Sequence, residues 1–331
     1  MANTPIRVGV IGTGIMGAGH ARFLTEHVKD ARVSALMDVD EPRMGALAKE
    51  LGPDVATFTT VEDFYAHPDI DAVIIASPDA LHVPHLRLAL AKGLPTLCEK
   101  PIATTVDDAR TIVAEVEATE KKLGKPLVHL GFMRRFDPSY VKLKKMLDSG
   151  EYGAPLVARI STRNVSSPGI TTPGLYTNMA VHDFDIWRWL TGDNWDSVVS
   201  HYPKSNSLSP AGLKDPLIFV AQLKGGITMV ADVVANDNYG YDVRTEVICE
   251  KGSVEMGIFG DIITRHNMVA GVAQGGPMVE NWIPRFEDAY IEELKAWIAT
   301  MTTGVNNPNL ATAADGLAAA EACQMGVASL N

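Results

Sequence analysis

Basic charge is what this chain of 331 residues has too little of: 29 lysines and arginines stand against 40 aspartates and glutamates, a formal net charge of −11. Nucleic acid and anionic membranes both attract a basic face, so neither is expected as a partner. Cysteine is scarce as well. Cys98, Cys249 and Cys323 are far apart and fit neither a disulfide framework nor a zinc-binding spacing, so no metal is expected. A reducing, cytoplasmic setting follows as the expectation. No apolar run reaches the roughly 20 residues that span a bilayer. Val8–Met16 is apolar, yet Arg7 is the only early cation and the glycines are spaced as in a nucleotide loop, so the segment reads as strand and turn rather than leader. Composition is otherwise that of a globular protein, long enough for two domains with a core each.

What is present is glycine in one particular arrangement. Gly12-Thr-Gly14-Ile15-Met16-Gly17 follows the apolar run Ile6–Ile11, and Asp38 closes the next apolar run. Gly12 allows a sharp turn, Gly14 leaves room for a pyrophosphate, and Gly17 lets helix and strand pack closely. The phosphates then lie at the amino end of the helix-like stretch Ala18–Val28, where free N–H groups favour an anion. With Asp38 about 20 residues past the glycines, the context fits a nicotinamide or flavin nucleotide.

Strand-like and helix-like segments alternate through the first third. Arg32–Met37, Ala72–Ala76 and Pro95–Cys98 read as buried parallel strands; Arg43–Leu51, His82–Lys92 and Val106–Leu123 read as the helices between them. This is the pattern of a doubly wound parallel sheet, an α/β fold with ligands at the carboxyl ends of its strands. After about residue 125 the pattern changes. Leu156–Thr162, Ser197–Tyr202, Leu217–Leu223, Ile227–Ala235, Val243–Cys249 and Ser253–Ile258 read as strands, with hairpin turns at Lys224-Gly-Gly226 and Glu250-Lys-Gly252 and two helices near the end. The expected organisation is therefore a dinucleotide-binding domain over 1–125 and an α+β domain over 126–331, its large sheet mostly antiparallel. A sheet that broad needs a cover for its second face, and an identical subunit is the economical one.

Two groups of residues carry candidate chemistry. Glu99-Lys100-Pro101 ends the strand Pro95–Cys98, at the edge where a nicotinamide lies. Charges seldom end a buried strand unless a ligand meets them, and a lysine desolvated beside a cationic ring gives up its proton more readily. Asn178, His182 and Asp185 lie on a segment in which Val181, Phe184 and Trp187 recur at helical spacing and Gly192 ends the run. Residues 178 and 182 are four apart, so one helical face is expected to present both. His182 is a natural proton carrier, although a histidine merely hydrogen-bonded in the core is equally consistent with the pattern.

The glycine fingerprint, Ala76-Ser77-Pro-Asp-Ala-Leu-His82, Glu99-Lys-Pro101 and His182-Asp-Phe-Asp185 occur in the order found in the glucose–fructose oxidoreductase / inositol dehydrogenase / MocA family, which this chain resembles nearly end to end. Gly131-Phe-Met-Arg134-Arg-Phe-Asp137, Arg163-Asn164, Tyr239-Gly-Tyr241-Asp-Val-Arg244 and Arg285-Phe-Glu-Asp-Ala-Tyr290 resemble its inositol 2-dehydrogenase branch. The resemblance implies an NAD-binding domain followed by a domain whose open sheet builds tetramers. It implies Lys100 beside the substrate and His182 as catalytic histidine, with Ser77, His82, Glu99 and Lys100 near the cofactor. Arg134, Asn164, Asn178, His182, Tyr241 and Tyr290 would line a polyol pocket. One position departs from the family, which often has aspartate where this chain has Asn178. Asparagine can hydrogen-bond but supplies no charge, which leaves Lys100 and His182 alone or calls on another carboxylate such as Asp183.

The implied reaction removes a hydride and a proton from a secondary alcohol. His182 is expected to take the proton while Lys100 hydrogen-bonds the same oxygen, or the reverse. Asp38, with Asp40 and Glu41 close by, favours NAD over NADP by repelling a 2′-phosphate; Arg43 is the one residue that softens this. The leading expectation is oxidation of myo-inositol to 2-keto-myo-inositol (scyllo-inosose). Scyllo-inositol, another isomer or a pyranose is the close alternative, and a non-catalytic nucleotide-binding regulator the distant one.

Overall fold

A computed structural model describes residues 4–257, 262–265 and 279–330. The chain forms two compact units, the first comprising Met1–Met133 with Asp288–Leu317, the second Arg134–Glu287 with Ala318–Asn331. The first unit therefore takes back a late stretch of chain that no single cut along the sequence assigns to it.

The first unit alternates β1 (Ile6–Ile11), α1 (Ile15–His27), β2 (Ala31–Met37), α2 (Glu41–Leu51), β3 (Ala56–Phe58), α3 (Val61–Ala66), β4 (Ala72–Ile75), α4 (His82–Lys92), β5 (Thr96–Cys98), α5 (Val106–Leu123) and β6 (Val128–Leu130). The strands stand in the order β6-β5-β4-β1-β2-β3, all parallel, and Ala311–Thr312 adds an antiparallel edge against Leu130 and His129. Every residue of β4 is buried, as a strand covered on both faces requires. Local signals set the helix ends. The Thr105 side chain accepts from the Asp108 N–H at the start of α5, and Gly124, at φ +69°, ends it in a conformation open to glycine. The doubly wound parallel sheet is as the alternation of segments indicates.

The second unit contributes α6 (Pro138–Asp148), β7 (Pro155–Arg163), the single turn α7 (Thr172–Gly174), α8 (Val181–Thr191), β8 (Trp195–His201), β9 (Leu217–Leu223), β10 (Thr228–Val234), β11 (Asp242–Cys249), β12 (Gly252–Met256) and β13 (Ile262–Arg265). Then follow α9 (Trp282–Thr303), β14 (Ala311–Thr312, the edge strand above) and α10 (Ala313–Ala328). Ile258, expected as the end of β12, lies outside the described residues. The sheet order is β13-β12-β11-β7-β10-β9-β8, antiparallel throughout except that β7 pairs with β10 in parallel. Leu217, Phe219, Ala221 and Leu223 of β9, and Met229, Ala231 and Val233 of β10, alternate into the core. The opposite face carries Arg159, Ser161, Arg163, Asp232 and Glu246 around a hollow of about 390 Å³. Arg163 pairs there with Asp232 at 2.6 Å, and Arg159 with Glu246 at 3.0 Å.

One expectation fails locally. Asn178 and His182 do not share a continuous α-helix: Leu175–Ala180 is π-helical and α8 begins only at Val181. Bonds in a π turn reach five residues back, so a four-residue step falls short of a full turn. Asn178 is exposed and His182 half-buried. The Tyr176 carbonyl, inside the π-helical stretch, accepts from Cys323 Sγ at 3.3 Å.

Candidate active site

The glycine loop is shaped by contacts that a side chain would destroy. A Cβ on Gly17 would fall 1.8 Å from the Gly12 carbonyl oxygen, and one on Gly12, itself at φ +88°, would fall 2.5 Å from the Ala76 carbonyl oxygen. Gly14 differs, because nothing lies within 4 Å of its Cβ position, which leaves the approach to the backbone clear. Gly14 is also the N-cap of α1 and offers no side-chain cap, and the first turn holds no acidic residue. By contrast Asp40, Thr60 and Thr105 cap α2, α3 and α5 with their side chains. The amino end of α1, with Ile15 and Met16 in its first turn, keeps its N–H groups for an anion. These features fit a dinucleotide pyrophosphate, with Gly12, Gly14, Ile15, Met16 and Gly17 as its cradle.

Asp38 follows β2 and is buried. One carboxylate oxygen accepts from the Thr13 N–H at 2.6 Å and the Thr13 hydroxyl at 2.8 Å; the other accepts from the Asp40 N–H at 2.9 Å. Arg43 Nη2 reaches both oxygens at 3.0 Å. Burial pushes this carboxyl up, but the four donors outweigh it and hold it below its ordinary value. The cation that the sequence left as a possible partner for a 2′-phosphate is thus engaged by Asp38 itself.

Ser77, His82, Glu99 and Lys100 cluster past the ends of β4 and β5. His82 is buried, with Nδ1 at 2.6 Å from the Pro101 carbonyl oxygen and Nε2 at 2.9 Å from that of Ser77. Both ring nitrogens thus face carbonyl oxygens, which can only accept. The Ser77 hydroxyl lies 3.1 Å from Nδ1 of His85, whose pKa burial pushes down. Glu99 is buried against Gly131, and its Oε1 accepts from His20 Nε2 at 2.7 Å. Burial raises the Glu99 pKa, but the His20 bond and the charges of Lys100 and His82 win, and the net direction is downward. Lys100, the next residue, is half-buried. His20 carries no sequence signal of its own. Only its place one turn past the glycines, on the helix that faces the strand ends, could have marked it.

In the second unit two sequence motifs prove to be partners. Arg134 Nη1 donates to Asp183 Oδ1 at 2.5 Å, and Arg135 grips Asp185 through Nε at 2.9 Å and Nη2 at 2.6 Å, all four residues being buried. The Thr162 hydroxyl donates to the same Asp183 oxygen at 2.9 Å. Burial works against the charge on Arg134, but the Asp183 carboxylate outweighs it and keeps the guanidinium protonated. Asp183 is therefore committed to Arg134 and Thr162, and with Asp185 it pins α8, which carries His182. Tyr241 is buried, edge-on to Phe286 at 6.2 Å, over whose ring Arg134 also stands at 5.6 Å. Asn164, just past β7, is half-buried and donates to Ser167 Oγ at 2.9 Å. Arg134 and Tyr241 thus meet around Phe286; Tyr290 belongs to the first unit. Its ring stacks on Phe23 at 6.2 Å and meets the edge of His20 at 5.7 Å.

A glycine cradle on an uncapped helix, with a carboxylate fixed at the end of the neighbouring strand, defines a dinucleotide-binding protein of the Rossmann class. The comparison with known proteins makes this specific. Residues 6–125 match the profile of the GFO/IDH/MocA oxidoreductase family, NAD-binding Rossmann fold, and residues 140–255 match the GFO/IDH/MocA C-terminal domain. The chain belongs to this family. It is 39% identical over 320 residues to inositol 2-dehydrogenase 1 of Saccharopolyspora erythraea, covering 96% of this chain and 93% of that one. It is 36% identical to an inositol 2-dehydrogenase of Corynebacterium glutamicum, covering 98% and 94%. Among solved structures, myo-inositol dehydrogenase from Lactobacillus casei in complex with NAD(H) and myo-inositol superposes with a TM-score of 0.88 at 30% identity, covering 98% and 94%. Scyllo-inositol dehydrogenase of the same organism, with NAD(H) and scyllo-inositol, gives a TM-score of 0.84 at 26% identity, covering 98% and 97%. Among the described residues no helix is long and apolar enough to cross a membrane.

Proposed function

We propose that this chain is an NAD-dependent cyclitol dehydrogenase that oxidises myo-inositol to 2-keto-myo-inositol. The observation that carries the reading is the similarity, over nearly the whole chain, to proteins named inositol 2-dehydrogenase, joined to a glycine cradle and Asp38 that fit NAD. When bound, NAD supplies the hydride acceptor. The remaining work belongs to the protein. His182 takes the hydroxyl proton, and Lys100 hydrogen-bonds the same oxygen and stabilises the negative charge that develops on it. Asn178, with Arg134, Asn164, Tyr241 and Tyr290, orients the ring hydroxyls. Asn178 does so without charge, because it stands where the family often has aspartate. The first unit serves the cofactor, and the second serves substrate binding and assembly. The half-wet outer face of its sheet, lined by Arg159, Arg163 and Val230, supports association of identical subunits into a tetramer. Three free, buried cysteines support a cytoplasmic setting.

Scyllo-inositol is the second reading, supported by the likeness to a scyllo-inositol dehydrogenase. A few hydroxyl contacts separate the two. Incubation with NAD and a panel of myo-, scyllo- and chiro-inositol and common hexoses, followed by NADH absorbance, decides. The expected outcome is turnover of myo-inositol above every other member. Turnover only of a hexose, or of nothing in the panel, overturns the proposal.

A further inference from the structure

We propose that His20 is a positioning residue for Lys100, acting through the buried carboxylate of Glu99. This rests on the reading of Lys100 as the lysine of the dehydrogenase site and adds a residue that the motifs of that site do not contain.

Glu99 has little freedom. Its own N–H donates to the Ile75 carbonyl at 2.8 Å, which fixes its main chain to the end of β4. Its carboxylate lies over Gly131, where a Cβ would come 3.2 Å from the carboxyl carbon and from both oxygens. A carboxylate enclosed in this way needs donors, since burying an unsatisfied charge costs several kcal/mol. Oε1 has His20 Nε2 at 2.7 Å, and Oε2 accepts from the Lys100 main-chain N–H at 3.3 Å. The carboxylate thus ties α1 to the residue that carries the ammonium group. His82 Nδ1 lies 2.6 Å from the carbonyl oxygen of the following residue, Pro101. Lys100 is therefore fixed from both sides along the chain.

His20 does not contact a ligand directly. It is 1% exposed, the Tyr290 ring closes one edge, and its Nδ1 has no hydrogen-bond partner among the described residues. Its one described polar task is Glu99. The charged and titratable groups facing Glu99 are His20 on α1, His82 on α4 and Lys100 beside it, with the Cys98 thiol preceding it in β5; Gly131, past β6, brings none. Without the His20 donor the carboxylate takes up a proton or turns, and Lys100 loses both its anchor and the negative charge that favours its ammonium form.

The test is trace acylation of the full chain with acetic anhydride across a pH series, with the Lys100 peptide read by mass spectrometry. This needs neither cofactor nor turnover. Relative to the unmodified chain, His20→Ala and Glu99→Gln should each move the Lys100 labelling midpoint about half a unit to one unit toward lower pH. His20→Gln, whose amide can offer a donor to the same oxygen, should return the midpoint to within about 0.2 units of the parent. With NAD and the preferred cyclitol, kcat should fall roughly 10- to 100-fold in His20→Ala while the Kd for NAD changes less than about threefold. An unmoved Lys100 midpoint in a folded His20→Ala chain, or failure of His20→Gln to restore it, overturns the proposal. If His20→Ala does not fold, an unmoved midpoint in Glu99→Gln overturns it. Absence of cyclitol turnover by the parent chain sinks the substrate reading alone, because the labelling experiment still decides the role of His20.

Discussion

The two units hold their functional residues by opposite means. In the first, the anion cradle is backbone: three glycines, a helix start with no side-chain cap, and strand ends that deliver Asp38 and Glu99. In the second, α8 is held by side chains, through two buried arginine–aspartate pairs. The difference follows from the tasks. A pyrophosphate is recognised by bare N–H groups, which only an uncrowded main chain can present. A helix that starts from a π-helical stretch, and that carries the histidine we propose as proton acceptor, must instead be fixed in rotation and depth. Buried charge-assisted pairs, one of them the two-bonded Arg135–Asp185, do this with more directional control than apolar packing.

The sharpest way to break the comparison is to strand a charge. Arg134→Leu leaves Asp183 buried without its partner and should cost about 3–5 kcal/mol in urea unfolding. Replacing Asp183 by Leu as well should restore most of that loss, because an apolar pair of similar volume is often neutral. A double variant no more stable than the single one would show that the stranded carboxylate is not the source.

Two glycines sharpen the comparison from the other side. Gly17→Ala should raise the Kd for NAD at least about 100-fold and lower stability too, because its Cβ collides with the Gly12 carbonyl and the loop must be rebuilt. Gly14→Ala has open space around the new methyl, so Tm should hold within about 2 °C while NAD affinity falls roughly tenfold. Calorimetric titration and thermal unfolding read both. Equal stability losses would refute the distinction between packing and ligand approach.

The smallest expected effect concerns Asp38. Asp38→Asn should weaken NAD by roughly tenfold at neutral pH, the worth of one charge-assisted hydrogen bond. The pKa of Asp38 is lowered in the folded protein, so the stability it confers is present above its unfolded value of 3.8 and is lost as the pH falls through the lower, folded value. The unmodified chain should accordingly lose unfolding free energy in acid more steeply than Asp38→Asn. Parallel pH profiles would show that Asp38 is not a source of the acid sensitivity.

Much of the first unit could be read from the chain because its determinants are local. The boundaries of β1, α4 and α5 coincide with apolar runs closed by glycines and capping residues. The hairpin at Lys224-Gly-Gly226 was legible for the same reason, with Gly226 at φ +94°. The strands β3, β6 and β14 carry two or three residues each, too few for a period to show. The return of Asp288–Leu317 to the first unit rests on pairing at a distance that no window of sequence contains. The same limit applies to the pairs Arg134–Asp183 and Arg135–Asp185: each motif is visible alone, but the bond between them is tertiary. The π-helical stretch before α8 was missed because apolar spacing looks alike in the two kinds of turn.

The uncapped start of α1 also makes the folded state incomplete by itself. Its first peptide hydrogens receive no side-chain cap, and an anion that binds them in the folded state alone adds resistance to unfolding. Coenzyme supply thus becomes a determinant of the protein's lifetime as well as its turnover. Molecules starved of nucleotide form the fragile fraction, the first lost to heat or to a protease.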